Sequence, residues 1–191
     1  NLSNIEKSKN FRLLGIIGYK VLKEYEIFID LFLNQITLWK TDKKGRKLEQ
    51  RKFLESISDS ISFSLKKHTI VLNSNIENKK LKLGLDSGAE YNQLNQRWAK
   101  KLNKNFTDMR RVFILGIGAI KKEVIVGRLE NVTLNNRIAL EPMNTVLMNF
   151  NGMFEAYGTM LDGVIGYEFF KQKRTIINYR KRKIYFVESP N

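Results

Sequence analysis

The residues best placed to do chemistry form one short run, Leu83-Gly84-Leu85-Asp86-Ser87-Gly88-Ala89. It reads as an apolar strand that runs into Asp-Ser-Gly. Gly88 permits a tight turn that a larger side chain resists. The Ser87 hydroxyl can fix the loop by hydrogen bonds. Asp86 is then presented at a strand end, among apolar neighbours that limit its solvation. Asp-Ser-Gly alone is an ordinary turn tripeptide; its setting gives it weight. It follows a hydrophobic strand, precedes a helical pattern, and is answered downstream by an apolar-apolar-glycine turn, Val164-Ile165-Gly166.

The other reactive residue types are scarce. The 191 residues include one histidine, His68, and no cysteine. Cys₄, Cys₂His₂ and HExxH metal sites cannot be built within one such chain. Cysteine nucleophiles, disulfides and iron–sulfur clusters are excluded. A Ser-His-Asp triad would have to use His68. It sits beside Lys66 and Lys67 before a strand, with no second His or Cys, and reads as a surface residue. What remains for a hydrolase is mostly carboxylate chemistry, and no metal or cofactor is expected. The six aspartates are Asp30, Asp42, Asp59, Asp86, Asp108 and Asp162. Only Asp86 lies in an Asp-Ser/Thr-Gly run; Asp59-Ser60 is followed by Ile61.

Elements must carry that loop. Hydrophobic residues make up 42% of the chain, enough for a sizeable core. After residue 60, short β-branched and aromatic runs alternate with Asn, Gly and Lys clusters. Strands are expected at 62–65, 69–72, 81–85, 111–115, 123–126, 129–134, 137–140 and 145–149. Leu94, Trp98 and Leu102 recur at helical spacing, so a short helix is expected over 92–103. A helix over 167–172 and a hairpin of 175–179 with 183–187 close the pattern. The expected class is mainly β with small helices, its sheets closed like a barrel or sandwiched.

An internal repeat organises the ends. Gly15-Ile16-Ile17-Gly18-Tyr19 lies over Gly163-Val164-Ile165-Gly166-Tyr167, an offset of 148 residues. Without a gap, Lys23 then falls on Lys171, Ile29 on Ile177, Ile36 on Ile184 and Leu38 on Phe186. Residues 1–40 therefore read as the tail of one unit. Residues 41–60, charged and Ser-rich, read as a connector. Residues 61–191 read as a complete second unit. The start Asn1-Leu2-Ser3 is not a signal peptide and lacks an initiator methionine, which suggests a processed or excised piece; export stays open and the compartment is not specified. No apolar run approaches the ~18 residues of a membrane span.

There are 34 Lys+Arg against 19 Asp+Glu, a formal charge of +15. Such a balance can serve nucleic-acid binding. The charges are scattered, however. In the densest run, from Lys171 to Lys183, they flank Ile176, Ile177, Ile184 and Phe186 as on the wet face of a hairpin. A solvated surface is the better account, and nucleic acid is not the expected partner. Trp39 and Trp98 read as packing residues. Met143, Met148, Met153 and Met160 fall near Phe150, Phe154 and Tyr157, either as core filling or as an apolar lip to a peptide groove.

The ordered set of motifs resembles the retropepsin-like, pepsin-class aspartic peptidases, particularly the bacterial aspartyl-protease type. In that family a strand ends in Asp-Thr/Ser-Gly-Ala, a flap hairpin follows, and an apolar-apolar-glycine motif precedes a short helix and a final hairpin. The matching residues are Asp86-Ser87-Gly88-Ala89, the Gly116-Ile117-Gly118-Ala119 region up to Lys122, and Asp162-Gly163-Val164-Ile165-Gly166, over about residues 60–191. The resemblance implies a small barrel-like lobe and peptide-bond hydrolysis by two aspartates that share a proton. Asp86 would be one of them. The second would come from a partner chain or from an upstream repeat unit. Ser87, Gly88 and Ala89 would shape the active-site loop, Gly116 to Ala119 would form the flap, and Val164, Ile165 and Gly166 would pack beneath the loop as structural support. Gly116-Ile117-Gly118 also starts like a dinucleotide fingerprint, but position 121 is lysine where that motif needs glycine. Two other readings stay open: a catalytically incomplete lobe that binds peptides or proteins, and a basic β-domain that binds nucleic acid.

Overall fold

The protein is described here by a computed structural model that covers residue 6 and residues 12–49, 55–115 and 121–188. A short helix, α1 (Tyr19–Leu22), precedes the hairpin of β1 (Tyr25–Asp30) and β2 (Gln35–Lys40). Then come β3 (Ile57–Ser62), β4 (Ser64–Lys66), β5 (Thr69–Ile76), β6 (Lys79–Leu85) and β7 (Asn92–Asn95). A long hairpin, β8 (Phe106–Leu115) and β9 (Lys121–Leu129), is followed by β10 (Val132–Leu134), β11 (Ile138–Ala139) and β12 (Met143–Met148). The chain ends in α2 (Met153–Tyr157), β13 (Gly163–Ile165), α3 (Tyr167–Gln172), β14 (Arg174–Asn178) and β15 (Lys183–Val187).

The fold is mainly β, in two sheets. A five-stranded sheet runs β2-β1-β14-β15-β3 with every pair antiparallel. The larger sheet runs β11-β10-β5-β6-β13-β7-β12-β9-β8, with β4 added beside β5, and curls into a half-barrel. Ile61, Ile177, Ile184 and Phe186 of the first sheet join Leu72, Ile76, Leu83, Leu94 and Leu134 of the second in one core, with Phe169 of α3 fully buried between them. Each such side chain withdrawn from water contributes about 1.5–3 kcal/mol.

Several stretches differ from the sequence expectation: 129–134 is broken at Glu130 and Asn131, 62–65 is divided between β3 and β4, 152–158 holds α2 where a loop is expected, and two further differences bear on the site and the sheet beside it. Residues 92–103 do not form an α-helix: Asn92–Asn95 is strand β7, followed by 3₁₀ turns at Gln96–Trp98 and Asn103–Asn105. The Asn95 side chain accepts the Arg97 N–H at 3.2 Å, starting a short turn. Leu94 is buried beside β12 and β13 from a strand position, so the four-residue spacing to Trp98 and Leu102 has another origin than one helix face. Within the charged stretch 41–60, residues 57–60 are already strand β3, paired with β15. Thr41 bridges Lys47 across a turn whose Gly45 has φ +76°.

The five-stranded sheet contains a buried ion pair. Asp30 Oδ2 accepts from Arg174 Nε at 2.9 Å and from its terminal nitrogen at 2.6 Å, and both side chains are almost fully buried. Burial alone would raise the Asp30 pKa. The Arg174 hydrogen bonds, the Leu33 and Phe32 N–H groups and the guanidinium charge outweigh it and hold the carboxyl below the ordinary carboxylate value. Arg174 also donates to the Glu188 carbonyl at 2.6 Å and pairs with Glu55.

Candidate active site

Asp86 is delivered by β6, where Leu81, Leu83 and Leu85 are buried while Lys79, Lys80 and Lys82 face water. The strand cannot drift, because both of its edges are occupied. β5 pairs along one edge through Ile70↔Leu85 and Leu72↔Leu83. On the other edge, β13 is inserted between β6 and β7. It runs parallel to β6 (Gly163↔Leu83, Val164↔Gly84, Ile165↔Leu85) and antiparallel to β7 (Gly163↔Leu94, Val164↔Gln93). The Asp86 N–H then donates to the Ile165 carbonyl at 3.0 Å, which places the start of the loop.

The inserted strand fits because it lacks side chains where backbone presses on it. A Cβ on Gly163 would lie 2.6 Å from the Gln93 carbonyl oxygen. One on Gly166 would lie 2.3 Å from the Ala89 carbonyl oxygen and 2.6 Å from that of Asp86. Gly166 donates its N–H to Asn92 Oδ1 at 3.0 Å, and Tyr167 N–H donates to the Ala89 carbonyl at 2.9 Å. Asn92 is buried, and its amide also donates to Met143 Sδ at 3.1 Å. Val164 and Ile165 are buried, and Ala89 packs in a small apolar cluster with Val164, Val71, Leu161 and Phe150.

Within the loop, the Ala89 N–H closes the turn on the Asp86 carbonyl at 3.0 Å, and the Gly88 N–H donates to Asp86 Oδ1 at 2.9 Å. The bonds that hold the loop are thus backbone N–H bonds; Ser87 and Gly88 are exposed. Gly88 does not adopt a positive φ, so its turn does not demand glycine for backbone reasons. A Cβ there would stand 3.3 Å from Asp86 Oδ1, and crowding of the carboxylate is the constraint. Asp86 itself is half-buried. Its second oxygen, Oδ2, accepts from the Tyr157 hydroxyl at 3.3 Å. Burial first, and then the Asp86 charge and hydrogen bond, push the Tyr157 pKa up to about 12, so this tyrosine is a neutral donor at ordinary pH.

Beside Tyr157 opens a cleft of about 1190 Å³, whose walls include Arg97, Lys100, Arg111, Phe150 and Met160. Asp86 does not line it; Tyr157 links the two. The β8–β9 hairpin forms one wall through Arg111, Glu123 and Ile125, with Arg111 and Glu123 paired at 3.3 Å. Its strands pair as far as Leu115↔Lys121. The expected flap residues Gly116, Ile117, Gly118 and Ala119 lie outside the described residues. Of the methionine cluster, Met160 is exposed at the cleft and Met143 is buried in the core. His68 is exposed in the β4–β5 turn.

None of the other five aspartates shares a hydrogen bond with Asp86. Asp162 Oδ2 accepts the Lys82 N–H at 2.8 Å, and its Oδ1 accepts from Trp98 Nε1 at 2.9 Å and pairs with Arg97. It ties the first 3₁₀ turn to β6 and β13. Asp30 is held by Arg174, Asp42 by Arg46 and Asp59 by Arg137, and Asp108 is exposed. Among the described residues no cluster of three His, Asp or Glu could hold a metal ion, and no helix is long and apolar enough to cross a membrane. Sequence reasoning missed two participants. Tyr157 was legible only as an aromatic in an apolar cluster, and the role of Asp162 depends on a turn that was expected to be helix.

No protein-family model matches the chain, and no curated protein matches it. Among solved structures, it is similar to a retropepsin-like aspartic protease from Rickettsia conorii, at 14% identity and a TM-score of 0.46, over 74% of this chain and all of that one.

Proposed function

We propose that this chain supplies one half of an aspartic-peptidase centre, with Asp86 as its carboxylate. The observation that carries the reading is the setting of Asp86: it closes a strand locked on both edges, one oxygen is fixed by the Gly88 N–H, and among the described residues the other accepts its hydrogen bond from a neutral hydroxyl. A carboxylate so placed can face a second one. Two carboxylates held close share a proton, because both cannot ionise together. The ionised member takes a proton from water as the water oxygen bonds to the peptide carbonyl carbon. The protonated member donates to the carbonyl oxygen. The C–N bond then breaks as a proton passes to the nitrogen. The chemistry needs no acyl-enzyme, metal or cofactor, and the second aspartate comes from a partner chain or from another unit of the same kind.

The test is cleavage of a mixed-sequence peptide library between about pH 3.5 and 7, with wild type beside Asp86→Asn. Cleavage that disappears in the variant supports the reading. Cleavage that survives it removes Asp86 from the chemistry. One observation favours a second reading, a lobe that binds peptides without cutting them: no second carboxylate meets Asp86 among the described residues. Peptide binding in the cleft, unchanged by Asp86→Asn and without cleavage in any assembled state, would select it.

A further inference from the structure

Residues 19–40 and 167–188 form the same elements in the same order, residues 15–17 match β13 in sequence without forming a strand, and among the described residues one of the two sets is left uncovered. At the 148-residue offset, α1 begins where α3 begins, β1 falls on β14 and β2 on β15. The hairpin turns agree in detail, with Asn34 at φ 52° and Arg182 at φ 53°. β1 and β14 pair antiparallel with Phe28 opposite Ile176, residues that are themselves counterparts. A two-fold axis through that pair exchanges the two hairpins, and it exchanges the polar contacts Asp30–Arg174 and Glu26–Asn178.

Burial does not follow the same symmetry. Val164 is 0% exposed and its counterpart Ile16 is 71% exposed; Phe169 is 0% and Val21 is 53%; Ile184 is 0% and Ile36 is 65%. Ile17 and Leu38 are likewise exposed where Ile165 and Phe186 are buried. The glycines repeat the contrast. Gly163 and Gly166 are required by backbone atoms under 3 Å from a would-be Cβ, whereas Gly15 and Gly18 have open space and no positive φ. An apolar strand sequence bracketed by such glycines, and an edge strand β2 with an apolar row, are surfaces that soluble chains cover.

We infer that residues 13–40 are the closing elements of a second half-barrel of the same topology, located ahead of residue 13 in the protein. Residues 15–17 fill its slot as Gly163–Ile165 fill the slot between β6 and β7. Its equivalent of β3 pairs with the edge of β2 away from β1, ahead of Lys40, whose carbonyl accepts the Leu48 N–H. The order of elements gives the location, since here the half-barrel strands β4 to β12, residues 64–148, precede the elements that close them. A second copy of this chain is not the occupant, because its own β13 already fills its slot. The inference rests on the fold and not on the proposed chemistry; where that chemistry holds, the Gly18 end of this surface is where the second carboxylate loop is seated.

The test is hydrogen exchange on the full-length protein carrying Asp86→Asn, which makes the readout independent of cleavage. Amides of Ile16, Ile17 and the outer edge of β2 are expected to exchange at least ~100-fold more slowly than in the 191-residue chain, approaching Val164 and Ile165. Fast exchange at these amides in both proteins overturns the inference. Protection already present in the 191-residue chain, with a doubled mass in solution, overturns the assigned occupant in favour of a second copy, and a full-length protein with no half-barrel ahead of residue 13 overturns its location. Gly15→Val supplies a second reading: it leaves the melting of the 191-residue chain unchanged, and in the full-length protein it is as damaging as Gly163→Val. Equal, small effects of Gly15→Val in both proteins count against the inference.

Discussion

Asp30 and Asp86 each end a strand and accept a backbone N–H from two residues on, and they differ in what meets the remaining oxygen. Asp30 Oδ1 accepts the N–H groups of Phe32 and Leu33 at 3.0 and 3.1 Å, and Asp86 Oδ1 accepts that of Gly88 at 2.9 Å. On Asp30 the other oxygen is taken by the Arg174 guanidinium, inside a sheet and away from water. On Asp86 it meets a tyrosine hydroxyl at 3.3 Å and is partly open. A permanent cation fixes a carboxylate as an anion and assigns it to structure. A neutral donor puts no fixed counter-charge on the oxygen, the setting that the proposed water activation calls for. Under the proposed reading, a strand-end aspartate therefore serves scaffold or chemistry according to the partner that tertiary packing brings to it.

The largest effect that separates the two sites is on turnover. In the assembled protein, Asp86→Asn is expected to reduce peptide cleavage by on the order of 10²–10⁴-fold, the scale of general acid–base catalysis. Its melting temperature stays close to wild type, because the amide oxygen can still accept the Gly88 N–H. Peptide turnover and thermal melting on the same preparation check both halves of the statement. A variant that loses stability along with activity would make Asp86 a structural residue of the same kind as Asp30.

Asp30→Asn is expected to do the reverse. It leaves Arg174 buried without its main counter-charge and costs about 3 kcal/mol, toward the low end for a broken buried pair because Glu55 and the Glu188 carbonyl still hold the guanidinium. The pH dependence has a definite sign. The folded pKa of Asp30 is depressed, so its contribution is complete above the unfolded carboxylate value and is lost as pH falls through the lower folded value. Denaturant unfolding at a series of acidic pH values should show wild type losing this increment, and Asp30→Asn lacking it throughout. A variant whose stability follows wild type at every pH would show that the ion pair contributes nothing net.

Gly166→Ala tests the clamp beneath the loop. The new methyl would stand 2.3 Å from the Ala89 carbonyl oxygen, with no flexible side chain to yield. Overpacking of this kind costs about 1–3 kcal/mol, and the displaced loop should lower turnover as well. Gly88→Ala crowds only Asp86 Oδ1 at 3.3 Å and should disturb activity more than stability. The two glycines thus separate the part of the loop that faces the core from the part that faces the carboxylate.

Much of this arrangement is legible in the sequence, for identifiable reasons. The alternation of Leu81, Leu83 and Leu85 with Lys80, Lys82 and Gly84 marks β6, and the strand brings Asp86 to its end. The helix over 167–172 and the final hairpin are legible because local pattern and burial agree there. Over 92–103 they disagree: Leu94, Trp98 and Leu102 carry a helical spacing, but Leu94 belongs to a slot between strands that only the inserted β13 defines. The Tyr157–Asp86 contact spans 71 residues and Arg174–Asp30 spans 144, and no local pattern encodes such pairings. The glycines at 163 and 166 are visible as a motif, while their reason, backbone atoms of another strand, is visible only in the fold.

The smallest effect sharpens the comparison most, because it removes the donor that distinguishes the two sites. Tyr157→Phe deletes the hydroxyl on Asp86 Oδ2 and leaves the ring that lines the cleft. A long, partly exposed hydrogen bond to a charged group is worth about 1 kcal/mol, so turnover should fall by about tenfold or less. A loss as large as that of Asp86→Asn would make Tyr157 a participant in the chemistry. An independent readout is alkaline titration of tyrosine absorbance. Burial and the Asp86 charge both hold the Tyr157 proton, and its pKa stands near 12; Tyr179 stands near 12 as well, raised by burial and then by Tyr19 and Asp86. In Asp86→Asn the charge is gone and the burial remains, so both groups should ionise at lower pH without reaching the ordinary tyrosine value. The folded values are raised, so the stability tied to these protons is complete below about pH 10 and is lost as pH rises toward about 12. Tyr157→Phe should remove part of that alkaline loss and leave acid stability unchanged, the opposite pH signature to Asp30→Asn.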